Sequence, residues 1–387
     1  MNLIFFNSHT FLTKEILHSL EKRTDIKTIN VNIPQYPASV QTDSIIDKLK
    51  SHFPAVVLTI NDAGCDYAGK IPSALTDNGC YHINWYHDYP FYEEIFHNRV
   101  IKFSDRRIDF VTEKSFLPEM RVKGMNAFFL PLATDPAYFN SIGEVEFKRD
   151  IAFVGNSSCQ FINSIIDEPS GRELEKLVSL QSRLRRAYFQ NPSLNINQYL
   201  LENDHLWKGK TSLNDRALLF MVEWLIGYFY RRDFISAIAK KYKNRFICFG
   251  DSYWQLFIDP SQVSTDACYY TNLCKYYRST RINLNVNRIQ IRTAFTQRIF
   301  DCAASGAFLL TDSRSCNKSF FQTEGPDREI VQFNSLEQCT KLIDYYLKYE
   351  DESREIAKRA QKNVLANHTY DMRIEEMFNI CRKFWGI

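Results

Sequence analysis

The stretch that decides the fold is RINLNVNRIQIRTAFTQRIFDCAASGAFLLTD, residues 281–312. Its pattern predicts a strand over 281–286, a loop, a helix over 296–304 and a second strand over 307–311. Gly306 follows the helix, where glycine tolerates the positive φ that ends many helices. The loop between Asn287 and Thr296 therefore lies at the carboxyl end of a parallel strand, the edge at which open α/β sheets bind their ligands.

Strands and helices also alternate through the first 130 residues. Short apolar runs predict strands, and stretches with helical periodicity separate them. The expected strands are residues 3–6, 29–33, 55–60, 81–85, 110–112 and 127–130, with helices at 11–22 and 44–52. This alternation predicts a parallel sheet with helices on both faces.

The alternation starts again after a linker-like segment, residues 131–150, which contains two prolines, a glycine and a charged run. Strands are expected at 151–154 and 246–249. The helical stretch between them, from about 171 to 243, is longer than one crossover helix requires, so we interpret it as a helical insertion. The last expected helices are 336–349, 351–366 and 372–385.

Composition and charge exclude several classes of protein. The formal net charge of the 387 residues is +3, which does not favour nucleic acid as a partner. The first 140 residues carry a net charge of −2 and the remainder +5, so an anionic ligand is expected in the second half. The ten cysteines form no C-x-x-C pair and have no histidine at metal spacing, so we expect no metal and a reducing cytosol.

A membrane span is not expected. Residues 217–230, ALLFMVEWLIGYFY, include Glu223 and are shorter than the roughly 20 apolar residues of a spanning helix. They predict a buried core helix, and an interfacial helix resting on lipid is the alternative. The N-terminal MNLIFFNSHT has no basic region and does not predict a signal peptide. We expect a cytoplasmic protein and leave open a peripheral contact with the inner face of the membrane.

Common catalytic and nucleotide motifs are missing. The first strand–helix loop, Asn7–Thr10, contains no glycine, so the dinucleotide fingerprint is absent. There is also no P-loop, H-E-x-x-H or G-x-S-x-G. These absences weaken the dehydrogenase, NTPase, zinc-protease and serine-hydrolase hypotheses.

Residues 267–300 are the strongest local signal for a ligand. They contain six Lys and Arg and no Asp or Glu. The helix that begins near Thr296 presents unpaired backbone N–H groups. Arg298 lies in its first turn, where a cation is unfavourable unless an anion is bound. The pattern therefore predicts a phosphate site, with a solvated basic face as the alternative.

Several motifs resemble one family. TQRIFDCAASGAFLLTD at 296–312, RINLNVNR before it and NHTYDMR at 367–373 are similar to the C-terminal part of the CgeB-like (spore-maturation-protein) glycosyltransferases. FLPLATDPAYF at 129–139, IAFVGN at 151–156 and IVQFNSLE at 330–337 agree in order. The resemblance runs from about residue 110 to 373, except across the helical insertion.

The resemblance implies the GT-B fold, an α/β architecture of two Rossmann-like domains facing an inter-domain cleft. The domains are then an acceptor domain at 1–132, a nucleotide-sugar donor domain at 150–370 with the helical insertion at about 160–243, and a C-terminal helix at 371–387 that crosses back onto the first. The implied activity is metal-independent transfer of a sugar from a nucleotide-diphosphate sugar to a glycan, lipid-linked or protein acceptor, in cell-envelope polysaccharide synthesis.

The resemblance also implies donor-site residues, each at the end of a strand or the start of a helix. Gly155 and Asn156 would line the cleft, Gly250 and Asp251 would lie near the base or ribose, and Asn287 and Arg288 would lie in the loop that follows the late strand. Thr296, Gln297 and Arg298 would hold the diphosphate, and Asp301 occupies the place of a ribose-binding carboxylate. Thr293 stands where related enzymes often have a Glu, which argues against a retaining mechanism that uses that Glu.

An inverting transfer requires a base for the acceptor hydroxyl. Asp88 is the first candidate and His9 the second, since both follow strands of the first domain. A helix N-cap is the alternative role for Asp88, and a loop cap is the alternative for His9. Two other functions remain open: a nucleotide-sugar epimerase of the same fold, and a non-catalytic sugar- or nucleotide-binding protein of the envelope.

Overall fold

The structure, a computed structural model, describes residues 2–140, 143, 145–166, 171–191, 194–203, 213–314 and 317–386. The chain divides into two compact units, Met1–Ala133 with His368–Ile387 and Thr134–Asn367. Each unit is built on a six-stranded parallel sheet. This is the α/β architecture that the strand–helix alternation predicts.

The first unit follows the alternation closely. Its strands lie in the order β2-β1-β3-β4-β5-β6, and every pairing is parallel. All five residues of β3 are buried, as expected for a central strand covered by helices on both faces. The elements are β1 Asn2–Asn7, α1 Thr13–Glu21, β2 Lys27–Asn32, α2 Ser39–Lys50, β3 Val56–Ile60, α3 Lys70–Asp77, β4 Tyr81–Tyr86, α4 Tyr92–His97, β5 Arg107–Val111, α5 Leu117–Val122 and β6 Ala127–Phe129.

The second unit has the strand order β12-β11-β10-β7-β8-β9, so the strands β7 and β10 lie at its centre. Its first elements are α6 Pro136–Phe139, β7 Arg149–Val154, α7 Cys159–Ile166, α8 Gly171–Gln190, α9 Ile196–Asn203, α10 Leu213–Tyr242, β8 Phe246–Phe249 and β9 Val263–Ser264. They are followed by α11 Leu273–Arg278, β10 Thr280–Asn285, α12 Gln297–Ala304, β11 Leu309–Asp312, α13 Asn317–Phe320, β12 Val331–Phe333, α14 Leu336–Lys348 and α15 Glu350–Asn367.

The helical insertion comprises α7 to α10 and packs on the second sheet through α10. Val222, Ile226 and Phe234 of α10 are buried in one core with Phe153 of β7. Residues 217–230 are thus part of a buried core helix, as predicted. No helix in the described ranges is long and apolar enough to cross a bilayer. The insertion residues 167–170, 192–193 and 204–212 lie outside the described part of the chain.

The last helix, α16 Tyr370–Trp385, packs against α1 and so returns the chain to the first unit. Lys22 of α1 lies 2.8 Å from the Asp371 carboxylate. The N-cap of α16 is Thr369, whose hydroxyl accepts a hydrogen bond from the Met372 amide at 3.4 Å. The sequence suggests Asp371 as this cap. It lies two positions after Thr369, in the first turn, where the helix dipole still stabilises a carboxylate.

A buried charge network joins the central strands of the first unit. The Arg107 guanidinium lies 2.8 Å from Asp62 and 2.6 Å from Asp109. The Tyr86 hydroxyl donates to the Asp62 carboxylate at 2.5 Å. Burial raises the pKa of Asp62, but the positive charges of Arg107 and Arg99 outweigh it and lower this pKa to about 2. The network is a paired one, as buried charges in a protein core require.

His82 lies beside this network and is held neutral. Its Nε2 is 2.9 Å from the Thr59 hydroxyl. Burial and then the charge of Arg107 lower the pKa of His82 to about 3, against the opposing effect of Asp62. The unfolded chain binds a proton at this histidine below its ordinary pKa of 6.5, whereas the folded chain does not until the pH approaches 3. Folding stability is therefore lost as the pH falls through this window.

We predict that His82→Gln removes a large part of the acid sensitivity of the protein. At pH 5 the unfolded-state protonation of His82 costs about 2 kcal/mol, and glutamine has no such proton to bind. The loss of unfolding free energy between pH 7.5 and pH 5, measured by urea denaturation, should be smaller by that amount in the variant. His52→Gln, outside the buried network, is the control. Equal losses in His82→Gln and wild type would contradict the prediction.

Candidate functional site

The carboxyl ends of β7, β8, β10 and β11 form one edge of the second sheet, because these strands are parallel neighbours. Of the ten donor-site residues expected from the sequence, nine follow these strands or open α12, and Asp301 lies in the second turn of α12. The ten are Gly155, Asn156, Gly250, Asp251, Asn287, Arg288, Thr296, Gln297, Arg298 and Asp301. The edge is therefore where the ligand of this unit is expected to bind.

Two glycines allow the loops after β7 and β8 to approach each other. The Gly155 amide donates to the Phe249 carbonyl at 2.8 Å, and the Trp254 indole N–H donates to the Gly155 carbonyl at 2.8 Å. A Cβ on Gly250 would lie 2.5 Å from the Gly155 carbonyl oxygen and 2.8 Å from the Trp254 ring. A Cβ on Gly155 would collide with the Arg298 guanidinium. A side chain at position 250 would therefore require the backbone at Gly155 to shift, and one at position 155 would displace the Arg298 guanidinium.

The side chains of Asp251 and Asn287 make hydrogen bonds that fix the loops after β7 and β10. One carboxylate oxygen of Asp251 accepts from the Ser157 amide at 2.8 Å, which fixes the loop after β7. Its other oxygen is buried and has no hydrogen-bond partner among the described residues. The Asn287 amide and side chain both donate to Asp312, at 2.9 and 2.7 Å, which fixes the loop after β10. Asn156 is exposed.

Arg298 lies at the centre of the edge. It is half-buried in the first turn of α12, and its guanidinium donates to the Val154 carbonyl. Burial lowers the pKa of Arg298 to about 10, Tyr277 opposes that shift, and the like charge of Arg288 adds to it. No carboxylate lies within ion-pair distance of Arg298 in the part of the chain that the structure describes. The site therefore holds a positive charge that an anion would stabilise.

Thr296 precedes α12 in the N-cap position with an extended backbone. Its hydroxyl makes no capping hydrogen bond and is buried without a partner in the described structure. Arg288 lies with its guanidinium 5.2 Å from the centre of the Trp224 ring, a cation–π distance. The helix N-terminus and Arg288 thus add positive potential to that of Arg298.

Gln297 and Asp301 face the interior of the unit. Asp301 is fully buried, and its two oxygens accept from the hydroxyls of Thr134 at 2.7 Å and Tyr269 at 2.8 Å. The Gln297 side-chain amide donates to the same Tyr269 hydroxyl. Asp301 thus fastens the segment before α6 and the loop before α11 to α12. Its role as a ribose ligand stays a prediction.

Arg231 is a site residue that the sequence reasoning did not select. It lies in α10, is 3% exposed, and donates to the Val286 carbonyl at 3.0 Å and toward the Asn156 carbonyl at 3.5 Å. Both carbonyls belong to the loops of the candidate site. The doublet Arg231-Arg232 follows an apolar run and looks like its solvated flank in sequence, so no local signal separates the buried arginine from its neighbour.

The two candidate bases follow β1 and β4, which are separated by β3 in the first sheet. His9 follows β1, is exposed, and has a φ of 55°, which its amide supports by donating to the Asn7 side chain at 3.0 Å. The Asp88 carboxylate follows β4, is 65% exposed, accepts from the Asn61 side chain at 2.9 Å and lies 3.1 Å from His87 Nδ1. Asp88 is not the cap of α4, since that position belongs to Phe91.

Metal-ligand geometry within the described ranges occurs once, in the first unit. Side-chain atoms of Asp62, Cys65 and His82 lie within 4.8 Å of one another, and all three residues are buried. Both Asp62 oxygens accept hydrogen bonds from Arg107, at 2.8 and 3.0 Å. The cationic guanidinium occupies the place in which a metal ion would compete for the same lone pairs, so these residues do not fit a metal site.

Residues 231–379 match a family model described as glycosyl transferase-like. No curated protein sequence matches the chain.

Solved structures share its architecture at low identity. Sucrose-phosphate synthase from Thermosynechococcus elongatus has a TM-score of 0.51 and 11% identity, with coverage of 100% of this chain and 99% of its own. An alpha-glucosyltransferase in complex with UDP-glucose and DNA containing an abasic site has a TM-score of 0.56 and 8% identity, with coverage of 98% and 99%. A glycosyltransferase from Rickettsia africae has a TM-score of 0.51 and 10% identity, with coverage of 99% and 98%.

These structures are GT-B glycosyltransferases, so the predicted fold class is confirmed. The family match confirms the prediction that the chain is a glycosyltransferase, and most of the matched residues belong to the second unit.

Proposed function

We propose that the chain transfers a glycosyl group from a nucleoside-diphosphate sugar to a hydroxyl of a glycan, lipid-linked or protein acceptor, as a CgeB-like enzyme. The observation that carries the proposal is the positive charge of Arg298 and Arg288 at the N-terminus of α12, with no carboxylate paired to Arg298 among the described residues. A diphosphate is the anion that this arrangement fits, because guanidinium groups and helix N–H groups both bind phosphate oxygens. The neighbour described with UDP-glucose supports the donor class.

In the proposed reaction an acceptor oxygen attacks the anomeric carbon, and the bond from that carbon to the diphosphate oxygen breaks. The electron pair of that bond leaves with the diphosphate, whose growing charge Arg298, Arg288 and the α12 amides stabilise. We propose that these cations make a metal ion unnecessary. Attack from the face opposite the diphosphate inverts the anomeric configuration.

Asp88 is the proposed base that takes the acceptor proton. Its carboxylate is exposed, and the side chains of Asn61 and His87 hold it from one side. Asn61 also accepts from the His87 amide at 2.9 Å, so the group is fixed by the ends of β3 and β4. An accessible carboxylate with a fixed orientation fits general base catalysis better than the isolated side chain of His9.

We propose further that the acceptor is a polymer of the cell envelope and that the enzyme works in the cytoplasm, at the inner face of the membrane. This proposal rests on the family resemblance alone, because the apolar face of α10 is buried in the core of the second unit. No nucleic acid partner is proposed, since the chain carries a net charge of only +3.

The activity is tested by incubating the protein with a panel of uridine, guanosine and thymidine diphosphate sugars. Release of free nucleoside diphosphate, measured with a coupled assay, is the expected result, and it should persist in the presence of EDTA. Conversion of the sugar to an epimer without diphosphate release would identify an epimerase. Binding without turnover would identify a binding protein.

We predict that Arg298→Met lowers kcat/KM for diphosphate release by roughly 100-fold or more, because it removes a charged donor to the leaving group. Arg298→Lys should retain more activity, since the charge remains. Lys275→Met removes an exposed cation from the same basic stretch and serves as the control. The assignment of the diphosphate to Arg298 fails if Arg298→Met and Lys275→Met have equal rates.

We predict that Asp88→Asn lowers kcat by about 10²- to 10⁴-fold and leaves the dissociation constant of the nucleoside diphosphate unchanged, since the base acts on the acceptor. Asp77→Asn, an exposed carboxylate at the end of α3, is the control. A kcat loss in His9→Gln alone would assign the base to His9 instead.

A further inference from the structure

The side chain of Arg231 is a buried cation that the proposed reaction does not yet use. It is 3% exposed, and no ion pair joins it to a carboxylate in the described ranges. Its partners are the uncharged carbonyls of Val286 and Asn156, and the Phe153 ring lies 6.0 Å away. Carbonyl dipoles compensate a buried charge only in part, so Arg231 lacks the counter-charge that buried cations normally have.

The neighbouring charges that affect the pKa of Arg231 most are also positive. Burial first, and then the charges of Arg298 and Arg288, lower the pKa of Arg231 well below its ordinary value, and the more modest pull of Asp312 opposes them. The Asp312 carboxylate is itself engaged by Arg314 at 2.8 Å. Three guanidinium groups from α10, the loop after β10 and α12 thus converge on one edge of the sheet.

The hydrogen bonds of Arg231 place its head group at the candidate site. Val286 directly follows β10 and precedes the loop that carries Arg288. Asn156 directly follows Gly155, which lies against the Arg298 guanidinium. A guanidinium carries five N–H donors in a fixed plane, and these two contacts use only its two terminal nitrogens. The group is therefore oriented before a ligand arrives, which lowers the entropy that binding must overcome.

We propose that Arg231 is a third diphosphate-binding cation, supplied to the donor site by the helical insertion and held in place before the ligand binds. This inference rests on the proposed function and adds a residue outside the stretch 267–300. It gives the helical insertion a role at the site, because the third cation comes from α10. The other two, Arg288 and Arg298, come from the stretch 281–312. Neither Arg231 nor Arg298 is paired with a carboxylate among the described residues, so a diphosphate supplies a counter-charge to both.

The test uses inorganic pyrophosphate as the probe and isothermal titration calorimetry on the full chain. We expect Arg231→Met to weaken pyrophosphate binding about 10- to 100-fold, the range for one charge-assisted hydrogen bond. Arg231→Lys should lose less, because it keeps the charge. Arg232→Met is the matched control, since Arg232 is the next residue of α10 and is already paired with Asp233 at 2.8 Å.

A second measurement separates ligand binding from a purely structural role. The Ser157 amide donates to Asp251, so its hydrogen exchange reports whether the loop after β7 keeps its conformation. We expect this amide to remain protected in Arg231→Met. Weak binding together with rapid exchange at Ser157 overturns the inference, because Arg231 would then act by holding the loop.

The two proposals fail in different ways. If wild type does not bind pyrophosphate, the proposed function fails and takes the inference with it. If Arg298→Met loses binding while Arg231→Met stays within about threefold of wild type, the proposed function stands and the role of Arg231 is refuted, since a lost charged contact costs more than that.

Discussion

Positive charge that is buried at a strand edge without a paired carboxylate is the constraint on which the second unit depends. Arg231 and Arg298 are held by backbone carbonyls of Asn156, Val286 and Val154. Carbonyls orient a guanidinium but carry no net charge, so two like charges at this edge are electrostatically unfavourable unless an anion binds. The packing of α10 and α12 must overcome the repulsion between the two guanidinium groups. A bound anion replaces that repulsion with attraction. A site that gains a counter-charge on binding is stabilised by its ligand.

The first unit treats a buried arginine in the opposite way. Arg107 is enclosed between Asp62 and Asp109, and Tyr86 adds a hydrogen bond to the same carboxylate. Arg107, Asp62 and Asp109 are paired with one another within the core, so none of these charges is available to bind a ligand. Arg107 is paired with two carboxylates and joins strands, whereas Arg231 and Arg298 have no paired carboxylate among the described residues and are the cations for which we propose an anionic ligand.

Local patterns were sufficient for most of the fold. The stretch 281–312 predicts strand, loop, helix and strand because each signal lies within a few residues, and β10, α12 and β11 follow it. Helix α3 was not predicted, since Pro72 interrupts its periodicity. Its first amides are instead satisfied by the Asp66 carboxylate, at 3.1 Å to Lys70 and 2.7 Å to Ile71. A cap of this kind depends on loop conformation, which the sequence pattern does not contain.

Some residues of the candidate site could likewise be predicted from the sequence, and the contacts between them could not, because packing creates those contacts. Arg298 could be selected because a cation in the first turn of a helix is unusual, whereas Gly155 and Gly250 were implied by the family resemblance. The physical reason for both glycines emerges only from the structure. Gly250 makes room for the Gly155 carbonyl, and Gly155 makes room for the Arg298 guanidinium. The two glycines therefore determine how closely the loops approach each other and how deep the Arg298 guanidinium lies against the sheet edge.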